Sequence, residues 1–269
     1  MSGHAFDAAV ALLPEGDNVL RGATSAPYAN MIGPYGGITA AQAINALMIH
    51  PKRLGEPVAL TVNYAAALAD GEFTVEAIPV RTNRSTQHWT LAIRQFDAVV
   101  LTGTALTAVR RETWTPAGEP LPPVAPPAEV ALPAARGRVE WINRYEMRFI
   151  DGGYPKKWDG ADSKTSRTQL WVRDNPPRGI DFPSLTALCD VFFPRIWLRR
   201  SKFTPVGTVS MTIYFHASEA QLKVTGEGYL LGQAQAQAFH NGYFDQTAQM
   251  WNEAGHLLAT SHQVVYYKE

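Results

Sequence analysis

Thr247–Tyr267 reads TAQMWNEAGHLLATSHQVVYY, and Thr90–Arg110 reads TLAIRQFDAVVLTGTALTAVR. The two stretches align without a gap at an offset of 157, the distance from Thr90 to Thr247. Each gives a strand, a polar turn and a longer strand. Outward from them the resemblance between the two halves continues. In the first half, an Ala-rich helix over Pro34–Met48 precedes strand-like runs at Val58–Tyr64, Phe73–Val80, His88–Gln95 and Ala98–Val109. In the second, an apolar helix over Pro183–Trp197, with Pro183 at its start and Pro194 near its end, precedes runs at Gly207–Phe215, Leu222–Phe239, Tyr243–Trp251 and His256–Tyr267. Gly71, Gly242 and Gly255 mark turns. The helices themselves are offset by about 147, from Thr39 to Thr186, so the halves are not rigid copies. A repeat this long fits a duplicated domain rather than a solenoid. One apolar helix followed by four antiparallel strands predicts an α+β chain in which each sheet wraps around its helix. The helices are expected near 36–49 and 184–197.

Between the halves the chain runs Thr113–Pro133, TWTPAGEPLPPVAPPAEVALP. Proline fixes φ and donates no hydrogen bond, so this stretch reads as a semi-rigid connector over the surface. The expected organisation is a first unit over 1–112, a Pro-rich linker over 113–136 and a second unit over 137–269.

Within 269 residues, Lys plus Arg number 24 and Asp plus Glu number 24. A net charge of zero argues against a nucleic-acid partner, which needs a basic field. The single cysteine, Cys189, permits no intramolecular disulfide and no Cys-rich metal site. No apolar run approaches the roughly 18 residues of a membrane helix. No Lys or Arg precedes Arg21 to make a signal-peptide n-region, so a cytoplasmic protein without a membrane partner is expected.

Nucleophile-elbow, phosphate-loop and zinc-protease motifs are missing, and the seven histidines have no metal-ligand spacing. Gly33–Gly37 (GPYGG) lacks the spacing of a dinucleotide loop. Three polar residues stand in apolar surroundings. Asp190 lies within LTALCDVFFP, where a carboxylate must pair with an arginine, cap a helix or serve as a base of raised pKa. Thr208 opens the strand TVSMTIYF, a common place for threonine. Gln263 lies in the last strand and needs polar company if buried.

These residues join a wider pattern: Gly36-Gly37, Leu68…Asp70-Gly71, Arg81…Arg84-Ser85…Ile93…Gln95, Glu146-Met147-Arg148, Gln169-Leu170-Trp171-Val172-Arg173, Asp190, Thr208…Phe215-His216, Asn241-Gly242, Gly255 and Ser261…Gln263. The pattern resembles the bacterial acyl-CoA thioesterase II family, and it covers nearly the whole chain. The resemblance implies a double hotdog fold, two helix-wrapped antiparallel sheets in tandem. It also implies hydrolysis of an acyl-CoA by water that Asp190, Thr208 and Gln263 orient and activate. No cofactor is implied, since CoA is part of the substrate. A place in fatty acid metabolism and association into a homo-oligomer are further expectations. Asn83 stands where the family usually has glycine, and Ser210-Met211 where it often has Asp-His. Two alternatives are a non-catalytic acyl-CoA or lipid-binding protein and a hotdog hydratase or dehydratase. The latter usually needs a histidine beside its aspartate, and none lies near Asp190 in sequence.

A thioester is electrophilic enough that a carboxylate-activated water suffices without a covalent nucleophile, provided a donor stabilises the oxyanion. Asp190 is the expected base, and Gln263 holds either the water or the oxyanion. For the CoA phosphates, Arg195, Arg199, Arg200 and Lys202 cluster just beyond Asp190; a solvated basic turn is the plainer reading. Cys189 reads as core packing. In the gap-free alignment Gln263 faces Leu106 and His262 faces Ala105, while Gln42 and Ala43 stand where the second helix has Asp190. That asymmetry predicts one active site per chain, with the first half supplying the opposite wall.

Overall fold

The computed structural model describes residues 3–116, 118–133 and 139–269. A short helix α1 (Ala5–Val10) and strands β1 (Leu13–Pro14) and β2 (Val19–Ala23) precede helix α2 (Gly36–Met48). Strands β3 (Glu56–Tyr64), β4 (Glu72–Thr82), β5 (Thr86–Gln95) and β6 (Ala98–Ala108) follow. The second half runs β7 (Tyr145–Asp151), β8 (Thr168–Asp174), α3 (Phe182–Leu188), α4 (Arg195–Arg200), β9 (Val206–Phe215), α5 (Glu219–Thr225), β10 (Leu230–Gln235), β11 (Phe239–His240), β12 (Tyr243–Asn252) and β13 (Leu257–Tyr267).

All the strands pair antiparallel in one sheet of order β1-β2-β4-β5-β6-β3-β9-β13-β12-β10-β8-β7, with β11 on β12. The two halves meet where β3 pairs with β9, Leu60 opposite Ile213 and Val62 opposite Met211. Thr61 and Thr212 hydroxyls bond across that seam at 3.0 Å. Each half curls around its helix, and α2 packs on α3, as a double hotdog requires. Helix α2 is buried almost all round, with Ala40, Ala41, Ala43 and Ala46 fully inaccessible. Small residues let the helix approach both its neighbour and the sheet; a larger side chain at such a site costs about 1–3 kcal/mol of overpacking. Among the described residues no helix is long and apolar enough to cross a membrane.

The Pro-rich connector is anchored across the outer face of the second sheet. Trp171 Nε1 donates to Ala125 O at 2.8 Å, and Trp251 Nε1 to Glu119 O at 2.9 Å. Leu121, Val124 and Val130 pack on Trp171, Tyr229, Leu231 and Trp251. The expected boundary between 136 and 137 lies outside the described residues.

Four sequence expectations change. The helix expected over 184–197 is two helices, because Pro194 lacks an N–H and restricts the residue before it. Asp190 therefore sits in the turn just past α3 rather than inside a helix. The run Leu222–Phe239 is not one strand. Ser218 and Gln221 form a reciprocal capping box that starts α5, and Gly226 and Gly228 separate it from β10. Strands β2, β7 and β8 were not expected. In β8 nearly every residue is buried, so the alternation that marks a strand is missing. Finally, Gln263 is buried, whereas Leu106 is paired with exposed His88 on the outer face. Its counterpart in the first half is the buried Ala105. The two-residue turn at Phe96–Asp97 against the longer turn between β12 and β13 defeats a gap-free alignment.

Candidate active site

Helix α3 ends at Leu188, and the turn that follows delivers Asp190 to the seam between the halves. Gln263, on β13, donates from Nε2 to Asp190 Oδ1 at 2.8 Å. Its amide nitrogen also lies 3.4 Å from Met211 Sδ on neighbouring β9. Gln263 is only 3 % exposed, so the aspartate is the polar company its burial demanded.

The second partner comes from the other half. The backbone N–H of Gly37 faces the Asp190 carboxylate and favours its ionised form. Tyr35, at the N-cap of α2, offers that helix no side-chain acceptor. Asp190 fills the place, capping α2 from across the seam with a charge that suits the positive end of the helix. The peptide that bears the Gly37 N–H also bears the Gly36 carbonyl, and Tyr64 Oη donates to that carbonyl at 2.9 Å. Tyr64 thus holds the peptide whose N–H faces Asp190. Gly36 must be small: a Cβ there would lie 3.0 Å from Asp190 Oδ2.

Burial pushes the Asp190 carboxyl up to about 7, against the opposing pull of the Gln263 hydrogen bond and of the Gly37 backbone N–H. No arginine pairs with it among the described residues. A carboxyl half ionised near neutral pH can both take and return a proton. The Cys189 thiol beside it is buried and held well above its ordinary pKa by burial and by Asp190, which suits packing rather than nucleophilic attack.

Thr208 reaches the same face of the sheet through a bulge. Val264 lies opposite Ser210, but Val265 lies opposite Thr208, so Val209 is the extra residue. The bulge turns Thr208 to the side of buried Val265 and away from the outward course of Ser210. Its hydroxyl makes no hydrogen bond to Asp190 or Gln263 among the described residues. The structure therefore joins Asp190 and Gln263 directly and brings Thr208 only to their face.

Arg195 is fully buried and donates to Ser166 O at 2.9 Å, to Thr168 Oγ1 at 2.7 Å and to Phe193 O. It braces the turn before α4 and is closed to a phosphate. Arg200 is engaged by Asp162 and Glu269. Gln42, in the first helix, donates to Ala9 O and Ala23 O and serves the N-terminal segment. Tyr64 was missed in the sequence, where a tyrosine at the end of a strand carries no signal of its own. A larger hollow of about 400 Å³ lies beside α5, but none of its lining residues touches Asp190 or Gln263.

The family model for the acyl-CoA thioesterase N-terminal domain matches residues 25–108, and that for the C-terminal domain matches residues 118–267. A hot dog fold protein of unknown function from Alicyclobacillus acidocaldarius is 44% identical over 100% of this chain and 99% of its own, with a TM-score of 0.94. An acyl-CoA thioesterase II, TesB2, from Mycobacterium marinum is 14% identical over 98% of each chain, with a TM-score of 0.78. The tesB protein of Mycobacterium avium subs paratuberculosis is 16% identical over 98% of each chain, also at a TM-score of 0.78. No curated protein sequence matches the chain.

Proposed function

For a chain that belongs to the acyl-CoA thioesterase family, we propose hydrolysis of an acyl-CoA to the free acid and CoA, with Asp190 as the general base. Asp190 takes a proton from water as the water oxygen bonds to the thioester carbon. When the tetrahedral intermediate collapses, the C–S bond breaks and Asp190 returns the proton to the departing sulfur. The observation that carries this reading is the 2.8 Å hydrogen bond from Gln263 to the partly buried Asp190 carboxyl at the seam of the two halves. The Gln263 amide holds the base in place, and its carbonyl oxygen is left to accept from the water. Thr208, on the same face, orients the water or the substrate. The reaction needs no metal or cofactor beyond the CoA of the substrate.

The test is release of CoA thiol from a series of acyl-CoAs. Asp190→Asn is nearly isosteric but accepts no proton, and turnover is expected to fall about 100- to 10,000-fold. An undiminished melting temperature and retained binding of acyl-CoA would accompany that loss. Full turnover in the variant overturns the assignment.

A further inference from the structure

The acyl chain needs a place to go from Asp190, and the fold provides a small one. A cavity of about 50 Å³ lies on the first-half side of the seam, lined by Gly36, Thr39, Tyr64, Ala67, Leu68 and Leu101 among others. It adjoins the carboxyl through two shared residues. A Cβ on Gly36 would lie 3.0 Å from Asp190 Oδ2 and 3.6 Å from Tyr64 Oη. A thioester carbonyl placed at Asp190 thus has this cavity beside it, across Gly36.

Its walls are fixed. Leu68 and Leu101 are almost wholly buried, at 4% and 1% exposure. The backbone N–H groups of Ala65 and Ala66 both donate to Val100 O, at 2.9 and 3.1 Å. Further along the same loop, buried Gln95 accepts from Ala69 N at 2.8 Å and donates to Ala69 O at 3.0 Å. Gly33, with φ of +64°, abuts the loop from the other side; a Cβ there would lie 2.7 Å from Leu68 O. Moving the wall to admit a long chain would break several of these bonds at once.

We propose that this cavity takes the acyl group and limits it to about two to four carbons, since a single water-sized group fills roughly 10–15 Å³ of such space. The substrate class is then a short-chain acyl-CoA. This rests on the thioesterase reading above and adds the size of the acyl group to it. Ala67 stands on the exposed rim of the cavity, so Ala67→Leu fills the space without disturbing the core.

The full-length protein is assayed for thiol release from acetyl-, butyryl-, octanoyl- and palmitoyl-CoA. The expected kcat/KM is highest at two or four carbons and at least about tenfold lower at eight, since one misfit methylene changes selectivity by about 10- to 200-fold. In Ala67→Leu, butyryl-CoA is expected to lose at least about tenfold relative to acetyl-CoA at unchanged melting temperature. Fastest turnover at eight or sixteen carbons overturns the proposal and leaves the thioesterase reading intact. An unaltered butyryl-to-acetyl ratio in folded Ala67→Leu overturns the placement of the acyl group. Failure to hydrolyse any of the four overturns the thioesterase reading, and the proposal with it.

Discussion

The backbone N–H of Gly37 faces the carboxylate of Asp190, although the two residues belong to different halves of the duplicated chain. The contact makes the first half part of the site. Its helix supplies a donor and a positive end to a base carried by the second half. Neither half holds Asp190 in this state alone.

Removing the Gln263 donor should be visible in the pH profile. The Gln263 hydrogen bond lowers the Asp190 pKa against the upward push of burial. Gln263→Ala therefore raises that pKa further. The proposed mechanism uses ionised Asp190, so kcat/KM of the native protein should rise with pH through about 7. In Gln263→Ala this rise should move to higher pH, together with a loss of about 10- to 1000-fold at the plateau. A profile that keeps its midpoint would mean that Gln263 does not act on the base.

Gly36→Ala separates stability from activity. Alanine is the better helix former by about 1 kcal/mol, and Gly36 is the first residue of α2. Its Cβ, however, would press within 3.0 Å of Asp190 Oδ2. Thermal melting should hold steady or rise while turnover falls at least about tenfold. Tyr64→Phe is the companion variant, since it releases the same peptide from the other side. It should weaken turnover while leaving the seam assembled, as judged by melting.

A second buried carboxyl makes stability depend on pH. Asp174 is 3% exposed, its Oδ2 accepts from Ser184 at 2.7 Å, and its Oδ1 has no hydrogen-bond partner among the described residues. Burial pushes it up to about 6, against the Ser184 hydrogen bond and nearby Arg178. The fold therefore favours the protonated acid. Its contribution to stability is full below the ordinary value of 3.8 and is lost as pH rises through about 6. The loss is on the order of 3 kcal/mol. Asp190 adds a loss in the same direction that extends to about 7. Urea midpoints measured from pH 4.5 to 7.5 should fall with pH, and Asp174→Asn should flatten the part near pH 6.

Stoichiometry follows from the asymmetry of the halves. The buried position that Gln263 fills in the second half is Ala105 in the first, and alanine has no donor or acceptor for a water. Titration calorimetry with a non-hydrolysable acyl-CoA analogue should saturate at one site per chain. Two equivalent sites would show that the first half keeps a catalytic pocket of its own.

Much of the fold was legible because amphipathic periodicity survives in one dimension. Strands β5 and β12, with one face buried, alternate as the pattern demands. Strand β8 escaped because burial on both faces erases the alternation, and α5 escaped because its capping box is a local signal set within an apolar run. The one-residue error that set Leu106 against Gln263 came from turn length, which a gap-free comparison cannot sense.

The sequence by itself determined the duplication, the helix-and-sheet order, and the unusual placing of Asp190 and Gln263 in apolar stretches. Residue type and spacing carry that much, because burying a carboxyl or an amide is costly wherever the chain puts it. Only the tertiary structure decided who relieves the cost. Gly37 faces Asp190, and Tyr64 holds the Gly36 carbonyl beside it, because α2 and β3 lie across the seam from α3; a bulge of one residue at Val209 turns Thr208 inward. Likewise Arg195, a phosphate-binding candidate by sequence, proved to be consumed by backbone carbonyls in the core. Such partners are distant in sequence and are set by strand register, and a register shift of a single residue exchanges the two faces of a strand.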